Sequence, residues 1–173
     1  MRYTVTLSKK YINHATVASY LTLIIEKMNK DDFVPDIIVG LSRGGLVPGI
    51  MLSHFLGKPF VPIEAALRDH PSWNTQSENF SKVEKICIVD DICDTGDTFK
   101  KLKQDILQNY KGLDARFCCL HYNKPSNFAV DWYGTSIDKD KKDVWLVYPW
   151  EDWWKRDAVE SPIINSILEN LKQ

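Results

Sequence analysis

One run of residues, 85–98 (KICIVDDICDTGDT), narrows the folds open to this chain more than any other. It starts with the β-branched residues Ile86, Ile88 and Val89. It then gathers Asp90, Asp91, Asp94 and Asp97 around a Thr95-Gly96 turn. An amphipathic helical pattern follows at once. A strand that feeds a loop, and a loop that feeds a helix N-terminus, is where α/β proteins hold phosphorylated ligands. The backbone N–H groups and hydroxyls of Thr95, Gly96 and Thr98 suit a phosphate at such a helix start. Carboxylates do not bind phosphate, but they do bind sugar hydroxyls and hard cations. A ligand carrying a phosphate, a ribose and a magnesium ion would satisfy both halves of the run.

The rest of the chain supplies the frame. Asn13 can cap a helix running to about residue 28, with Val17, Leu21, Ile24, Ile25 and Met28 on one face. Residues 36–40 (DIIVG) read as a strand of the buried parallel type. A Ser42-Arg43-Gly44-Gly45 turn follows, then a helix to about Leu56 closed by Gly57. Further strands are predicted at 60–65, 85–89 and 115–122, with a helix over 96–110. Two more extended stretches lie near 130–133 and 144–148. Ser161-Pro162 opens a last helix to about residue 171. Residues 66–84 are polar and irregular, and a loop that long in a compact domain is usually functional or disordered. Alternating strands and helices predict a doubly wound, mostly parallel sheet flanked by helices, with ligands at the carboxyl ends of its strands.

The bulk numbers set limits. A chain of 173 residues suffices for one domain with a full core. The formal net charge of −1 gives no global basic field, so nucleic acid is not the expected partner. No apolar run approaches the ~20 residues of a membrane span. The N-terminus lacks the apolar core of a signal peptide. Cys87, Cys93, Cys118 and Cys119 form no CxxC pair, which fits small packing residues kept reduced in the cytoplasm.

Set beside known families, IVDDICDTGDT resembles the phosphoribosyl-pyrophosphate motif of the type I phosphoribosyltransferases. That motif is an apolar run, two acids, a few variable residues and a T-G-x-T-like phosphate loop. LSRGGLVPG (41–49) resembles the pyrophosphate loop of the bacterial xanthine-guanine branch. HYNKP (121–125) matches the Lys-Pro pair that purine enzymes place at the base, and VWLVYPWE (144–151) matches their hood segment. The resemblance spans most of residues 36–151. It implies the type I fold with a small hood, the core over about 30–125 and the hood from about 126–155 with the N-terminal segment, all one domain over 1–173.

By the same resemblance, Asp90 and Asp91 take the ribose, and Asp91 also the metal, Mg2+. Asp94, Thr95, Gly96, Asp97 and Thr98 take the 5-phosphate. Ser42, Arg43, Gly44 and Arg68 take the pyrophosphate, with a non-proline cis peptide at Ser42–Arg43. Lys124, Trp145 and Leu146 take a purine, Trp145 by stacking and Leu146 through its backbone. Asp94 is the implied general base near purine N7. The substrates implied are phosphoribosyl pyrophosphate and a 6-oxopurine (xanthine, hypoxanthine or guanine), in a homodimer or homotetramer. Tyr148, Trp150, Trp153 and Trp154 read as packing or as an oligomer interface. The family's acid after the stacking aromatic is here Val147, which argues for hypoxanthine or xanthine over guanine. The hood loop, with Arg68, His70, Trp73 and Lys82, lacks the lysine-rich family pattern. Two other readings stand beside this one: a nucleotide-sensing regulator on the same fold, and a pyrimidine or orotate enzyme. Asp97, a carboxylate inside a phosphate cradle, has no role that the sequence can name.

Overall fold

The structure, a computed structural model, describes residues 8–64, 83–142, 144–153, 167 and 169–171. Its elements in chain order are β1 (Ser8–Tyr11), α1 (His14–Lys30), β2 (Ile37–Ser42), α2 (Leu46–Leu56), β3 (Phe60–Glu64), β4 (Lys85–Cys93), α3 (Asp97–Asn109), β5 (Asp114–Asn123), β6 (Trp132–Ile137) and β7 (Val144–Val147). Contacts divide the chain into two units. Residues 15–143 form one, and the segments 1–14 and 144–173 form the other.

The larger unit is built on a five-stranded sheet in the order β3-β2-β4-β5-β6, with every pair parallel. Parallel strands are buried on both faces, so they carry continuous apolar runs. Ile38, Val39, Ile86, Cys87, Ile88, Val89, Cys118, Cys119 and Leu120 are all fully buried. Each large apolar side chain so buried contributes ~1.5–3 kcal/mol relative to exposure. On one face, Phe99, Leu102 and Ile106 of α3 pack with Val39, Leu41, Ile88 and Phe117. Helix α2 approaches β2 closely: a side chain on Gly49 would lie 3.4 Å from the Gly40 Cα, and one on Gly40 would strike the ring of Phe60 on β3 at 2.6 Å. Helix α1 lies along β5 and β6, where Tyr20 meets His121 edge-on at 5.1 Å.

Several boundaries differ from the sequence reading. Strand β4 runs to Cys93 rather than stopping at Val89. Asp90, Ile92 and Cys93 pair with Cys119, His121 and Tyr122, so the two acids stand on the strand itself. The stretch expected near 130–133 is strand 132–137, because residues 124–131 are spent returning the chain to the start of a parallel neighbour. Phe128 of that return packs against Phe99 and Phe117 at 5.7 and 5.0 Å. Helix α1 reaches Lys30, and Gly57, at φ 62°, closes α2. The four cysteines are buried and free. Among the described residues no helix is long and apolar enough to cross a membrane. The helix expected after Ser161 lies largely outside the described residues.

In the smaller unit, β1 and β7 form a two-stranded parallel sheet that sets Lys9 beside Trp145 and Lys10 beside Leu146. Strand β1 was not expected. SKKY is exposed at all four positions, so it carries no apolar alternation to read.

Candidate active site

The sheet order places the carboxyl ends of β2, β4, β5 and β6 in one row. The loop after β2 contains the cis Ser42–Arg43 peptide that the motif implied. Gly45 then bonds back to the Leu41 carbonyl at 2.8 Å and opens α2. Two glycines let this loop lie against β4. A side chain on Gly45 would fall 2.0 Å from the Val89 carbonyl oxygen, and one on Gly44 would fall 2.4 Å from the Asp91 carboxylate. Arg43 is exposed at the rim.

At the end of β4, the Asp90 carboxylate accepts the Asp91 N–H at 2.9 Å. Desolvation first, and the neighbouring Asp91 charge second, push the Asp90 carboxyl well above the usual carboxylate range. Among the described residues no group of three or more His, Cys, Asp or Glu could hold a metal ion by itself. Adjacent Asp90 and Asp91 suit the other mode, in which one or two carboxylates share a cation with substrate phosphates.

The chain turns into α3 through Thr95 and Gly96, the latter at φ 88°. That left-handed conformation favours glycine. The crowding does so too, since a side chain there would meet Ser126 Oγ at 2.5 Å and Phe128 Cβ at 2.7 Å. Asn127 fastens the loop from the crossover side. Its N–H bonds the Thr95 carbonyl at 2.8 Å, and its side-chain amide donates to Asp97 Oδ1 at 2.6 Å. The Asp97 N–H reaches Thr95 Oγ1 at 3.3 Å. Asn127 first, then Thr95, hold the Asp97 carboxyl below its usual range. The residue without a role in sequence is thus one half of a clip between the Thr95-Gly96 turn and the crossover.

Asp94 is held on both oxygens. Asn123, the last residue of β5 and 6% exposed, donates Nδ2 to Asp94 Oδ1 at 3.1 Å and to the Asp94 carbonyl at 3.3 Å. Lys139 Nζ lies 2.5 Å from Asp94 Oδ2. Asn123 Oδ1 in turn accepts the Lys139 N–H at 3.1 Å. Lys124 follows Asn123 directly, exposed, with its N–H on the Ile137 carbonyl at 2.9 Å.

The phosphoribosyl transferase domain family matches residues 10–152. The chain belongs to that family. The transcriptional regulator GfcR of Thermoplasma acidophilum is 31% identical over 49% of this chain, which spans only 42% of the regulator's length. A xanthine-guanine phosphoribosyltransferase of Idiomarina loihiensis is 30% identical over 66% of this chain and 70% of that enzyme. Among solved structures, the Helicobacter pylori xanthine-guanine-hypoxanthine phosphoribosyltransferase superposes with a TM-score of 0.73 at 15% identity, covering 85% of this chain and 96% of that one. That likeness establishes the fold.

In this member of the phosphoribosyltransferase family, the larger unit brings together Ser42, Arg43, Gly44, Asp90, Asp91, Asp94, Thr95, Gly96, Asp97, Thr98 and Lys124 at neighbouring strand ends. Arg68 and His70 lie outside the described residues. Trp145 and Leu146 belong to the smaller unit. There Trp145 is 54% exposed while the Leu146 side chain is buried. Trp145 lines a cavity of about 410 Å³ with Lys9, Val147, Glu151 and Asp152. Tyr148 and Trp150 stack beside it, 5.0 Å apart and 7° from parallel. Sequence reasoning missed Asn123, Asn127 and Lys139. The one signal for Asn123 was a polar residue closing a strand whose centre, Phe117 to Leu120, is apolar.

Proposed function

We propose that this protein transfers the 5-phosphoribosyl group of phosphoribosyl pyrophosphate to N9 of a 6-oxopurine. The single observation that carries this reading is the meeting of two loops. The glycine-rich turn after β2 lies against Asp91 at the head of the acidic phosphate loop, with Gly44 leaving room for that carboxylate. One loop offers amides and Arg43 to a diphosphate, and the other offers α3's N-terminus to a monophosphate and carboxylates to the ribose between them. A phosphoribosyl diphosphate has those three parts in that order. The relatives named as xanthine-guanine phosphoribosyltransferases support the purine choice over a pyrimidine.

In this reading Thr95, Gly96, Thr98 and the Asp97 amide grip the 5-phosphate. Asp90 and Asp91 hold the ribose hydroxyls, and Ser42, Arg43 and Gly44 hold the pyrophosphate, with Arg68 as a further contact. Asp91 would hold magnesium, which would supply charge neutralisation of the leaving pyrophosphate when bound. The N9 lone pair of the purine forms the bond to C1′ as the C1′–oxygen bond breaks. Positive charge grows on the ribose, and the surrounding carboxylates stabilise it. The proton on N7 passes to Asp94, the general base. Lys124 meets the oxygen-bearing edge of the purine. Four free, buried cysteines support a reducing compartment such as the cytoplasm. Exposed Trp153 supports an oligomer contact.

The test is a panel. The protein is incubated with phosphoribosyl pyrophosphate, magnesium and each of hypoxanthine, xanthine, guanine, adenine, uracil and orotate, and nucleotide and pyrophosphate are measured. Product with the 6-oxopurines is expected. No product with any base sinks the enzyme reading, and product with pyrimidines alone sinks the purine. Asp94→Asn is expected to lower turnover more than donor binding.

A further inference from the structure

Asp97 poses a problem that phosphoribosyl transfer leaves open. It is the first residue of α3, in the turn assigned to the 5-phosphate. Gly96 before it has no side chain to cap the helix, so the first N–H groups of α3 are left to a ligand. A carboxylate one position along is a rival for them. Aspartate bonds backbone N–H groups of its own turn, and negative charge is favoured at this end of a helix. Carboxylates elsewhere in the chain do take backbone N–H groups. Asp131 takes that of Phe117 at 2.8 Å, and Asp36 takes those of Lys85 and Glu84 at 2.9 and 3.0 Å. Asp97 is turned aside instead: its Oδ1 accepts the Asn127 side-chain amide at 2.6 Å. Asn127 is a fixed post for this bond. Its own N–H is tied to the Thr95 carbonyl at 2.8 Å, and the Ser126 N–H before it to the Asn123 carbonyl at 2.9 Å. Phe128 after it packs against Phe99 and Phe117.

We propose that Asn127 is a positioning residue for donor binding: it draws the Asp97 carboxylate away from the start of α3, so that the 5-phosphate meets open N–H groups. The assignment rests on the phosphoribosyl transfer proposed above and says how its phosphate subsite is kept clear of an anion of the chain itself. Without the Asn127 amide, Asp97 turns back onto its own helix and competes with the ligand. The ligand it opposes is a phosphate monoester, so the donor suffers and the purine does not. The role belongs to the two residues together. Once the carboxylate is gone, the amide has nothing to withhold. A residue that only shaped the turn would behave differently, because its loss would damage the turn whether or not Asp97 were there.

The probe is ribose 5-phosphate, which carries the monoester and the sugar without the diphosphate. It is titrated calorimetrically into the wild type, Asn127→Ala, Asp97→Ala, the double variant and Asn109→Ala, and the KM values for phosphoribosyl pyrophosphate and hypoxanthine are measured on the same proteins. Asn127→Ala is expected to weaken ribose 5-phosphate binding and raise the donor KM by about tenfold, the low end for a hydrogen bond to a charged group. The KM for hypoxanthine should hold. Asp97→Ala should bind ribose 5-phosphate more tightly than the wild type, since a like charge is gone. The double variant should recover the affinity that Asn127→Ala lost. Asn109, whose amide sits on the Asp105 carbonyl at the other end of α3, is the control, and its variant should match the wild type. If the alanine variant does not fold, Asn127→Asp keeps the shape and repels Asp97, and adding Asp97→Asn should restore binding with donor and acceptor exchanged. A double variant as weak as the Asn127 variant alone, or an Asn127 variant that binds like the wild type, overturns the assignment and leaves phosphoribosyl transfer standing. A wild type that binds neither ribose 5-phosphate nor phosphoribosyl pyrophosphate overturns both.

Discussion

Two glycines with the same backbone angle allow the packing of the phosphate loop to be measured. Gly96 and Gly112 both sit at φ 88°. An alanine at Gly112 would meet nothing within 4 Å, whereas one at Gly96 would meet Phe128 Cβ at 2.7 Å and Ser126 Oγ at 2.5 Å. Gly112→Ala therefore isolates the cost of a left-handed alanine, roughly 1–2 kcal/mol. Gly96→Ala bears that cost and overpacking as well, which adds ~1–3 kcal/mol. The serine hydroxyl can rotate away, but the Phe128 Cβ is tied to the backbone and its ring is held between Phe99 and Phe117. Urea unfolding followed by circular dichroism should place Gly96→Ala about 1–3 kcal/mol below Gly112→Ala, a melting-point gap of roughly 2–12 °C at this chain length. Donor binding should weaken in Gly96→Ala alone. Equal stabilities within about 0.5 kcal/mol, the usual scatter of surface changes, would refute the idea that the crossover braces the loop.

Other perturbations follow from the same geometry. Asn123→Ala strands the Lys139 N–H and releases Asp94 Oδ1, so it should cost about 1–3 kcal/mol in urea unfolding and lower kcat more than it raises the donor KM. An unchanged kcat would remove Asn123 from the site. Asp90 has its folded pKa raised above the usual 3.8. Below that value both folded and unfolded chains are protonated, and as pH rises the unfolded chain ionises first, so the ligand-free protein loses stability. Asp90→Asn should then be more stable than the wild type at neutral pH in the presence of a chelator, with the gap closing below about pH 4, and it should bind the donor poorly. Melting curves across pH check this, and a wild type that is more stable at neutral pH would contradict it. Asp36 accepts the Lys85 and Glu84 N–H groups at 2.9 and 3.0 Å, which lower its pKa and fix the start of β4. Asp36→Ala should cost about 1 kcal/mol at neutral pH, the low end for a partly solvated charge. That cost should fade as pH falls through the depressed folded pKa, and a pH-independent cost would assign it to packing instead.

The parallel core was legible because its residues obey one rule. Ile37 to Leu41 and Ile86 to Val89 are buried on both faces and so read as unbroken apolar runs. The turn into α3 was legible because Thr95 and Gly96 stand together between the strand and the helix. What stayed hidden depends on partners far along the chain. Asp97 meets Asn127 thirty residues away, and Asp94 meets Lys139 forty-five residues away. No local pattern marks either pair, and the charges around Lys139 disguise it as surface. The end of β4 was misjudged because Asp90 and Asp91 interrupt the apolar run, although pairing with β5 continues beneath them. Strand β1 pairs with β7, and its exposed SKKY carries no trace of that pairing.

The most direct measurement is a single reaction. Purified protein, phosphoribosyl pyrophosphate, magnesium and hypoxanthine are mixed, and inosine monophosphate and pyrophosphate are quantified together by chromatography. Nucleotide and pyrophosphate rising in equal amounts, and only when base and donor are both present, is the expected result. Pyrophosphate released at the same rate without the base, or no nucleotide with hypoxanthine, xanthine or guanine, would contradict phosphoribosyl transfer to a 6-oxopurine.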